Sequence, residues 1–429
     1  MARTSEPANP RSPEIAGHAA RPPRLPGNVI ALGLVSLFND ASSEIIYPLL
    51  PLFITSTLGA GPAFVGVIEG LAESASSLLK LPAGWLSDRF GRRKVMVMAG
   101  YGLASVTRPL LALAASAWQV LGLRFADRIG KGLRSSPRDA MIADSARAEA
   151  RGLAFGFHRA MDHAGAIVGA LVSAWLVKFF QGDYRSVFWA ATAPAFVALL
   201  ILIFAVRETK RSAATTAGRE VMERSLSTSP FSSPTVPRVR WSAFDASFKK
   251  YLGVLLLFTL SNSSDAFLLL RAKQRGIGDT SIPLLWALLH VSKSASSVVG
   301  GGLSDRFGRK RLIVSGWALY AVIYCGFAFA ATRAEMWALF AVYGLYFGLT
   351  EGTEKALVAD LVAPELRGTA FGLYNLIIGI AALPASLMLG LLWQRFGAET
   401  ALLTGAGLSL LAALLLLVAG ISEPQTRGG

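Results

Sequence analysis

The chain has 429 residues, of which 53% are hydrophobic and only 16% are charged. Soluble proteins carry about 25% charged residues, so this composition argues against a set of ordinary soluble domains. The formal charge of +15 would suit nucleic acid, but Lys and Arg concentrate between apolar runs on one side of the predicted membrane, which argues against such a partner. The single cysteine, Cys325, excludes a disulfide framework and a cysteine-based metal site.

Apolar runs of about 20 residues, the length that a helix needs to cross a bilayer, recur along the chain. They predict an all-α integral membrane protein with twelve transmembrane helices in two sets of six. The first set is expected at residues 29–56, 62–87, 94–115, 118–144, 152–179 and 187–206. The second set is expected at residues 248–270, 281–304, 310–331, 335–361, 368–394 and 399–421.

The remaining segments are polar and predict two tails and a linker outside the membrane. Residues 1–27 lack the apolar core of a signal peptide and predict a disordered cytoplasmic tail. Two six-helix bundles are expected at 28–206 and 248–421, with a flexible linker at 207–247 and a second tail at 422–429. An even number of crossings and the basic linker predict that both termini lie on the cytoplasmic side of a cell inner membrane.

Three short motifs occur twice in the chain, in the same order. The loop Gly84-Trp-Leu-Ser-Asp-Arg-Phe-Gly-Arg-Arg-Lys94 recurs as Gly301-Gly-Leu-Ser-Asp-Arg-Phe-Gly-Arg-Lys-Arg311, which is 217 positions later. The motifs Ala140-Met-Ile-Ala-Asp144 and Arg151-Gly-Leu-Ala-Phe-Gly156 recur in related form 216 positions later. This nearly constant spacing predicts a duplicated six-helix unit, with the two copies related by an axis along the membrane normal.

The repeated Gly-x-Leu-Ser-Asp-Arg-Phe-Gly-Arg loop resembles the signature of the major facilitator superfamily. The 6+6 layout over about residues 28–421 and the Arg-Gly pairs after helices four and ten are also similar to that family. The resemblance implies a secondary transporter that works by alternating access. The stretch Asp127–Asp139 is similar to a poorly characterised prokaryotic branch, which gives no substrate.

The resemblance also implies that charged clusters close the cytoplasmic side in the outward-facing state. Gly84 would allow the tight loop after helix two, and the positive-inside rule alone would also explain such charges. The predicted gating residues are Asp88, Arg92 and Asp144 in the first half, and Asp305, Arg309, Asp360 and Arg367 in the second half.

Polar side chains on helices one and seven are candidates for proton coupling or substrate binding. Asp40 and Glu44 are four residues apart, so they share one face of helix one. A carboxylate inside the membrane is costly unless it is paired, hydrated or protonated, which leaves proton binding and a structural ion pair as alternatives. Asn262 and Asp265 occupy a loosely corresponding place on helix seven.

Helix four carries the densest charge, which is expected to face a central cavity because lipid excludes it. Its cations would attract an anionic substrate group or pair with internal carboxylates. This stripe comprises Arg124, Asp127, Arg128, Lys131, Arg134 and Arg138. Arg124 resembles the superfamily's helix-four arginine, which is linked to proton coupling in antiporters, and Arg128 is an equal candidate.

On helix five, His158, Arg159 and Asp162 could form a pH-sensitive relay, contact substrate, or satisfy one another in the interior. Metal binding is not expected there, because no third nitrogen or sulfur ligand is nearby. Glu354 on helix ten holds the repeat position of Arg138. The opposite signs suggest an ion pair between them that closes the cytoplasmic side in one state of the transport cycle.

No catalytic arrangement or phosphate-binding loop is apparent, so neither an enzyme nor a cofactor is expected. The sequence predicts a monomeric secondary transporter in the lipid bilayer that moves a small polar or anionic solute coupled to H+, by either uptake or export. Two alternatives remain open. They are a proton-driven multidrug exporter and a transporter-like solute sensor.

Overall fold

The computed structural model describes residues 25–147, 150–208, 241–363 and 366–421, and all regular structure in these ranges is helical. We number the long helices α1–α12 in chain order. The first set is α1 (Gly27–Ile46), α2 (Pro62–Phe90), α3 (Arg93–Leu113), α4 (Ala117–Ser145), α5 (Arg151–Phe179) and α6 (Tyr184–Ala190 with Thr192–Phe204). The second set is α7 (Ala246–Ser261 with Ala266–Gln274), α8 (Ile282–Phe307), α9 (Arg309–Phe329), α10 (Arg333–Asp360), and α11 and α12, which share Arg367–Val418.

Helices α11 and α12 are separated at Gly397, whose φ of 89° and ψ of 167° are not helical. The observed helices agree with the predicted spans to within a few residues at most ends. Their main irregularities lie in α1 and α7. After Ile46, α1 continues through a 3₁₀ turn at Tyr47–Leu49 and a π-helical turn at Phe53–Thr57, because prolines in this stretch cannot donate backbone hydrogen bonds.

Helix α7 is interrupted at residues 262–265, where four short polar side chains follow one another. Ser264 Oγ accepts from the backbone N–H of Ala266 at 3.3 Å, and the N–H of Asn262 donates to the carbonyl of Phe258 at 3.1 Å. Side chains of this kind compete with the helix for backbone hydrogen bonds. The interruption therefore places polar groups at mid-helix, beside the space between the two sets.

Within the first set, α1 packs closely against α5 through small residues. A Cβ at Gly165 would lie 2.4 Å from the carbonyl oxygen of Leu37, and one at Gly169 would lie 2.3 Å from that of Ala41. Ser173 donates to the carbonyl of Ile45 at 2.8 Å. Glycine is required at 165 and 169 because any side chain would separate the two helices.

The two sets meet along α2 with α11 and along α5 with α8. On α2, a Cβ at Gly66 would lie 2.3 Å from the carbonyl oxygen of Ser386, and one at Gly70 would lie 2.9 Å from the Cα of Leu383. On α11, a Cβ at Gly390 would lie 2.8 Å from the carbonyl oxygen of Pro62. These lateral contacts leave a space between the sets, bounded by α1, α2, α4 and α5 on one side.

By length and hydropathy, seven helical ranges in the described part of the chain are suited to crossing a membrane. They include α1, α3, α5, α6, α7, α9 and the joined range of α11 and α12. Helices α2, α4, α8 and α10 fall outside this group, and each contributes charged side chains to the space between the sets. The total of twelve crossings stays a prediction.

Most of the predicted tails and linker lies outside the described residues. The first residues of the predicted linker are described, and they contact the first set. Glu208 accepts from the backbone N–H groups of Arg93 and Lys94 at 3.1 and 3.0 Å, and the N–H of Arg207 donates to Asn28 at 2.9 Å. A carboxylate at the amino end of α3 interacts favourably with the helix dipole.

Candidate functional site

A cavity of about 880 Å³ lies between the two sets. One end is closed by Tyr47 and Trp286, whereas Lys80, Asp139 and Lys355 line it toward the basic repeated loops. The cavity therefore opens on the face predicted to be cytoplasmic. Of the side chains predicted to couple protons or bind substrate, these line it: Asp40, Glu44, Asp127, Arg128, Lys131, Arg134, Arg138, His158, Arg159, Asp162, Asn262 and Asp265.

The closed end is made of contacts between the two sets. Trp286 of α8 donates from Nε1 to Glu44 of α1 at 2.7 Å, and its ring lies 4.9 Å from that of Tyr47. The Tyr47 hydroxyl lies 3.4 Å from Ser264 Oγ in the α7 interruption. Farther out, the hydroxyl of Tyr184 donates to Asp279 at 2.9 Å. These contacts join the halves at the end of the cavity opposite the basic loops.

Arg124 lies behind the cavity wall and forms a buried ion pair. Its guanidinium donates to both carboxylate oxygens of Glu69 at 3.1 and 3.2 Å and lies 3.7 Å from Asp127. It also lies 5.1 Å from the ring centre of Tyr47. Internal carboxylates therefore neutralise part of the positive charge of α4. Pairing of this kind was one of the two alternatives that the sequence left open for these cations.

The two α1 carboxylates have neutral donors as their nearest partners. Asn39 Nδ2 donates to Asp40 at 2.9 Å, and Trp286 donates to Glu44. Arg108 of α3 donates to the side chain and carbonyl of Asn39 at 2.8 and 3.1 Å, not to Asp40. Within the described residues, neither carboxylate has a Lys or Arg nitrogen within 4 Å. A permanent ion pair does not account for them in this conformation.

On α5, His158 and Asp162 contact each other, with His158 Nδ1 3.4 Å from Asp162. Ser36 of α1 donates to the same carboxylate, and the buried His158 Nε2 has no hydrogen-bond partner in the part of the chain that the structure describes. The described residues hold no group of three His, Cys, Asp or Glu side chains suited to a metal ion. The arrangement is a carboxylate and imidazole pair that borders the cavity.

Glu351 of α10 is shared by three cations on the open side of the cavity. Arg159 of α5 lies 3.7 Å from it, Lys293 of α8 lies 3.6 Å away, and Lys355 lies 3.9 Å away. Because Arg159 belongs to the first set, this cluster also joins the two halves. The cluster gives the predicted site residue Arg159 an ion-pair partner, Glu351, in the second set.

Polar side chains of the α7 interruption face the cavity. Asp265 accepts from the Tyr343 hydroxyl at 2.7 Å, and Asn262 donates to the Tyr346 hydroxyl at 3.2 Å. Ser263 Oγ is buried without a partner among the described groups. The second half therefore offers hydrogen-bonding groups opposite the more strongly charged α4.

The predicted pair of Arg138 and Glu354 is not formed in this conformation. Arg138 pairs with its neighbour Asp139 at 2.9 Å. Glu354 points into the second set and accepts from Trp317 Nε1 at 3.0 Å and from the Tyr374 hydroxyl at 2.8 Å. Equivalent repeat positions do not face each other here, because neutral donors inside the second set already occupy the Glu354 carboxylate.

Among the described side chains of the loop clusters, one ion pair is observed in each half. Asp144 pairs with Arg93, where Arg92 was expected, because Arg92 precedes α3 as its amino-terminal capping residue. In the second half, Arg309 lies 3.3 Å from Asp360 as expected, and Arg367 donates to the carbonyl of Ala359 at 3.2 Å.

The side chains of Asp88 and Asp305 lie outside the described residues. Gly84 faces α4, since a Cβ there would lie 3.3 Å from Ser136 Cβ. The turn after α2 occurs at Gly91, which has a φ of 64°. Gly84 therefore permits close approach of helices, and the left-handed backbone belongs to Gly91.

Arg108 and Trp286 are among the site residues that were not selected from the sequence. Arg108 could have been found, because an arginine within an apolar span follows the same rule that selected the α4 cations. Trp286 carried no such signal, since a tryptophan near the outer end of a membrane helix is typical of an interfacial anchor. Only the contact with Glu44 gives it a role.

Helices of membrane-crossing length around a polar cavity that opens at one end define a multi-pass membrane transporter. The sequence pattern of the Major Facilitator Superfamily matches residues 32–385. The chain therefore belongs to the major facilitator superfamily, whose members are membrane transporters.

Three known proteins resemble this chain in sequence or in structure. The chain is 35% identical to an uncharacterised MFS-type transporter of Methanocaldococcus jannaschii, over 91% of this chain and 94% of that protein. It is 28% identical to the multidrug resistance protein MdtH of Salmonella typhi over 44% of this chain and 46% of MdtH. The structure is similar to a D-xylose–proton symporter, with a TM-score of 0.72, 18% identity, and coverage of 94% of this chain and 99% of the symporter.

Proposed function

We propose that this protein is a secondary active transporter that moves a small polar or anionic solute across the cytoplasmic membrane, coupled to the movement of H+ in the same or the opposite direction. The observation that carries the proposal is a charged cavity between two halves, closed at one end by contacts between them and lined toward the other by the basic loop side. Such a cavity serves alternating access, in which the halves rock about a central site. The conformation described is inward-facing in this scheme.

Proton coupling is assigned to Asp40 and Glu44. Both line the cavity, and neither has a Lys or Arg nitrogen within 4 Å in the ranges that the structure describes. A buried carboxylate without a cation is favoured in its protonated form, whereas hydration during the cycle favours ionisation. Glu44 also accepts a hydrogen bond from Trp286 of the other half. A change in the protonation state of Glu44 would therefore alter a contact that closes this end of the cavity.

The loop clusters are proposed as the cytoplasmic gate of the outward-facing state. Arg93 with Asp144, and Arg309 with Asp360, each tie neighbouring helices within one half. Asp88, Arg92, Asp305 and Arg367 belong to the same repeated segments. In this proposal the segments of the two halves meet when the cavity closes on the loop side.

A second candidate is proton-driven multidrug export, which the similarity to the multidrug resistance protein MdtH favours. The lining of the cavity favours a polar cargo instead. It contains cations on α2, α4, α5, α8 and α10 and carboxylates on α1, α2, α4, α5 and α7. A lipophilic drug would have to remove water from these charges, which costs free energy that apolar contacts must offset.

The test is uptake into proteoliposomes with an imposed pH gradient, using a panel of anionic, zwitterionic, neutral and cationic solutes and lipophilic dyes. We expect flux of a polar solute that stops when an ionophore collapses the gradient. The double substitution Asp40→Asn with Glu44→Gln should abolish the dependence on the gradient, and Asp183→Asn in an outer loop is the matched control. Flux of dyes alone, or flux unaffected by the gradient, would overturn the proposal.

A further inference from the structure

Three cations on one wall of the cavity differ from the others because, among the described residues, they have neither a carboxylate within 4 Å nor an aromatic ring in contact. They are Lys80 of α2 and Arg128 and Lys131 of α4, called here the cation triad. In the described part of the chain, none of their side-chain nitrogens lies within 4 Å of a carboxylate. The other cavity cations are engaged: Arg138 pairs with Asp139, Arg134 lies over the Tyr101 ring, and Arg159, Lys293 and Lys355 share Glu351.

The packing of α2 against α4 holds the triad on one wall. A Cβ at Gly132 would lie 2.7 Å from the Leu79 Cβ, and Ser136 donates to the carbonyl of Lys80 at 2.9 Å. Arg128 and Lys131 are three residues apart and therefore share a helix face. Lys131 lies close enough to both Arg128 and Lys80 for electrostatic repulsion. Three like charges in one partly buried wall are costly without an anion.

The carboxylates near the triad are held by neutral donors. Glu73 interacts electrostatically with all three cations and accepts from Ser77 at 3.3 Å. Glu44 and Asp40 interact with Lys131 as well, but they accept from Trp286 and Asn39. Asp127 interacts electrostatically with Arg128, but it also lies 3.7 Å from Arg124. When Asp40 and Glu44 carry protons, as the proposed function requires, the three cations face Glu73 and, at Arg128, Asp127. The wall then keeps an excess of positive charge.

We propose that the cation triad binds a dianionic oxyanion group of the transported solute, of the sulfate, phosphate-ester or dicarboxylate class. This inference rests on the proposed function, whose substrate it specifies. Arg128 offers the planar pair of N–H donors that matches an oxyanion, and the two lysines supply point charges beside it. The hydrogen-bonding groups of the α7 interruption lie across the cavity, where they would contact the remainder of the solute.

The experiment is a binding titration of the purified full-length protein in detergent with sulfate, succinate and acetate. Sulfate is a fixed dianion, succinate tests the dicarboxylate form, and acetate is the monoanion control. We expect sulfate and succinate to bind and acetate to bind roughly tenfold more weakly or not at all, because one charge-assisted contact contributes about 1.5–3 kcal/mol. The affinity for sulfate should fall as NaCl is raised, because salt screens the charges.

The substitutions Lys80→Gln, Arg128→Gln and Lys131→Gln should each weaken sulfate binding roughly tenfold. The matched control is Lys355→Gln, which removes a cavity cation already paired with Glu351 and should change the affinity less than about twofold. Arg128→Lys should retain part of the affinity. Thermal unfolding of each variant verifies folding. Absence of sulfate binding in the unchanged protein, or sulfate binding in all three Gln variants that is as strong as in the unchanged protein, would overturn the site.

The two proposals can fail separately. If a neutral or cationic solute moves with the pH gradient while sulfate and succinate do not bind, the cation triad is not the substrate site and the transporter proposal stands. If sulfate binds through the triad but no solute of the panel moves, the anion site stands and the transport proposal is overturned.

Discussion

At the scale of single residues, the charges of the interior fall into two groups. Arg124 and Glu69 satisfy each other away from water, with only 5% and 8% of their side chains exposed. The cation triad has no carboxylate within 4 Å in the described ranges, and there the two α1 carboxylates have no Lys or Arg nitrogen within that distance, although His290 Nε2 lies 4.0 Å from Glu44. A charged side chain that is buried with an oppositely charged partner has a structural role. A charged side chain that lies beside water without a partner is available to bind a solute or to titrate.

The Arg124–Glu69 pair is expected to be structural. Arg124→Gln should lower the free energy of unfolding by roughly 3–5 kcal/mol, because Glu69 would remain buried without its partner. Glu69→Gln should act in the same direction. The double substitution should cost clearly less than the two single effects together, since no isolated charge remains. Thermal unfolding of the purified variants measures this, and strictly additive losses would contradict it.

Asp183 gives a residue-scale prediction outside the membrane. The Ser186 hydroxyl and the backbone N–H groups of Arg185 and Ser186 donate to its carboxylate and lower the pKa of Asp183. Because the folded-state pKa is lowered, the contribution to stability is present at neutral pH and is lost as the medium becomes acidic enough to protonate Asp183.

Asp183→Ala should therefore destabilise the start of α6 by about 0.5–2 kcal/mol at pH 7, the usual cost of losing a helix cap. Asp183→Asn should retain most of the stability, since an amide oxygen also accepts from the backbone. The difference between the unchanged protein and Asp183→Ala should shrink at acidic pH. Thermal unfolding at several pH values measures it, and a constant difference would count against the assignment.

At the scale of helices, close packing is decided by where glycines lie and what faces them. Gly165 and Gly169 of α5 face the backbone of α1, whereas a Cβ at Gly156 of the same helix would meet nothing within 4 Å. The sequence places glycines at all three positions without distinguishing between them. Only the facing backbone distinguishes a required glycine from a tolerated one.

Gly169→Ala should destabilise the protein by about 1–3 kcal/mol, because the added methyl group would overlap the Ala41 carbonyl and push α1 away. The matched control is Gly156→Ala on the same helix. It should be neutral or slightly stabilising, since alanine favours helix over glycine by about 1 kcal/mol. Thermal unfolding in detergent compares them, and equal effects would show that α1 and α5 are not closely packed at Gly169.

At the scale of the whole molecule, the closed end depends on a few contacts between the halves. Trp286 donates to Glu44, and Tyr184 donates to Asp279. If both contacts hold the state that opens toward the basic loops, removing either should increase the population that opens on the opposite side. A hydrogen bond contributes about 0.5–1.5 kcal/mol between neutral groups and about 1.5–3 kcal/mol to an ionised group such as the Asp279 carboxylate. These values correspond to shifts of roughly two- to tenfold and of roughly tenfold or more.

Trp286→Phe and Tyr184→Phe should each increase access to the cavity from the side opposite the basic loops. The measurement is the rate at which an impermeant maleimide labels Ser43→Cys, a cavity position, in a Cys325→Ala background. Trp189→Phe, at a half-exposed position on α6, is the matched control. The two effects should multiply in the double variant if the contacts are independent. Unchanged labelling in both variants would show that these contacts do not close the cavity.

Much of the fold and of the site could be predicted from the sequence, for physical reasons that differ between residues. Asp40, Glu44, Arg128 and Lys131 were found because lipid excludes charge, so a charged side chain within a predicted span must face an interior space. The identity of the residue with which each charged side chain pairs could not be predicted in this way. Arg93 replaced Arg92 beside Asp144 because which of two adjacent arginines faces a neighbouring helix depends on where the helix begins.

The sequence by itself determined the membrane setting, the duplicated unit and the set of charges that must face inward. Hydrophobic length, repeat spacing and the exclusion of charge from lipid act locally along the chain, so they can be read without coordinates. The tertiary structure alone decided which of those charges neutralise one another. Arg124 lies against Glu69 and Glu354 against Trp317 and Tyr374, whereas the cation triad has no such partner within the described ranges. These contacts join residues distant in sequence, and only the packing of the helices brings them together.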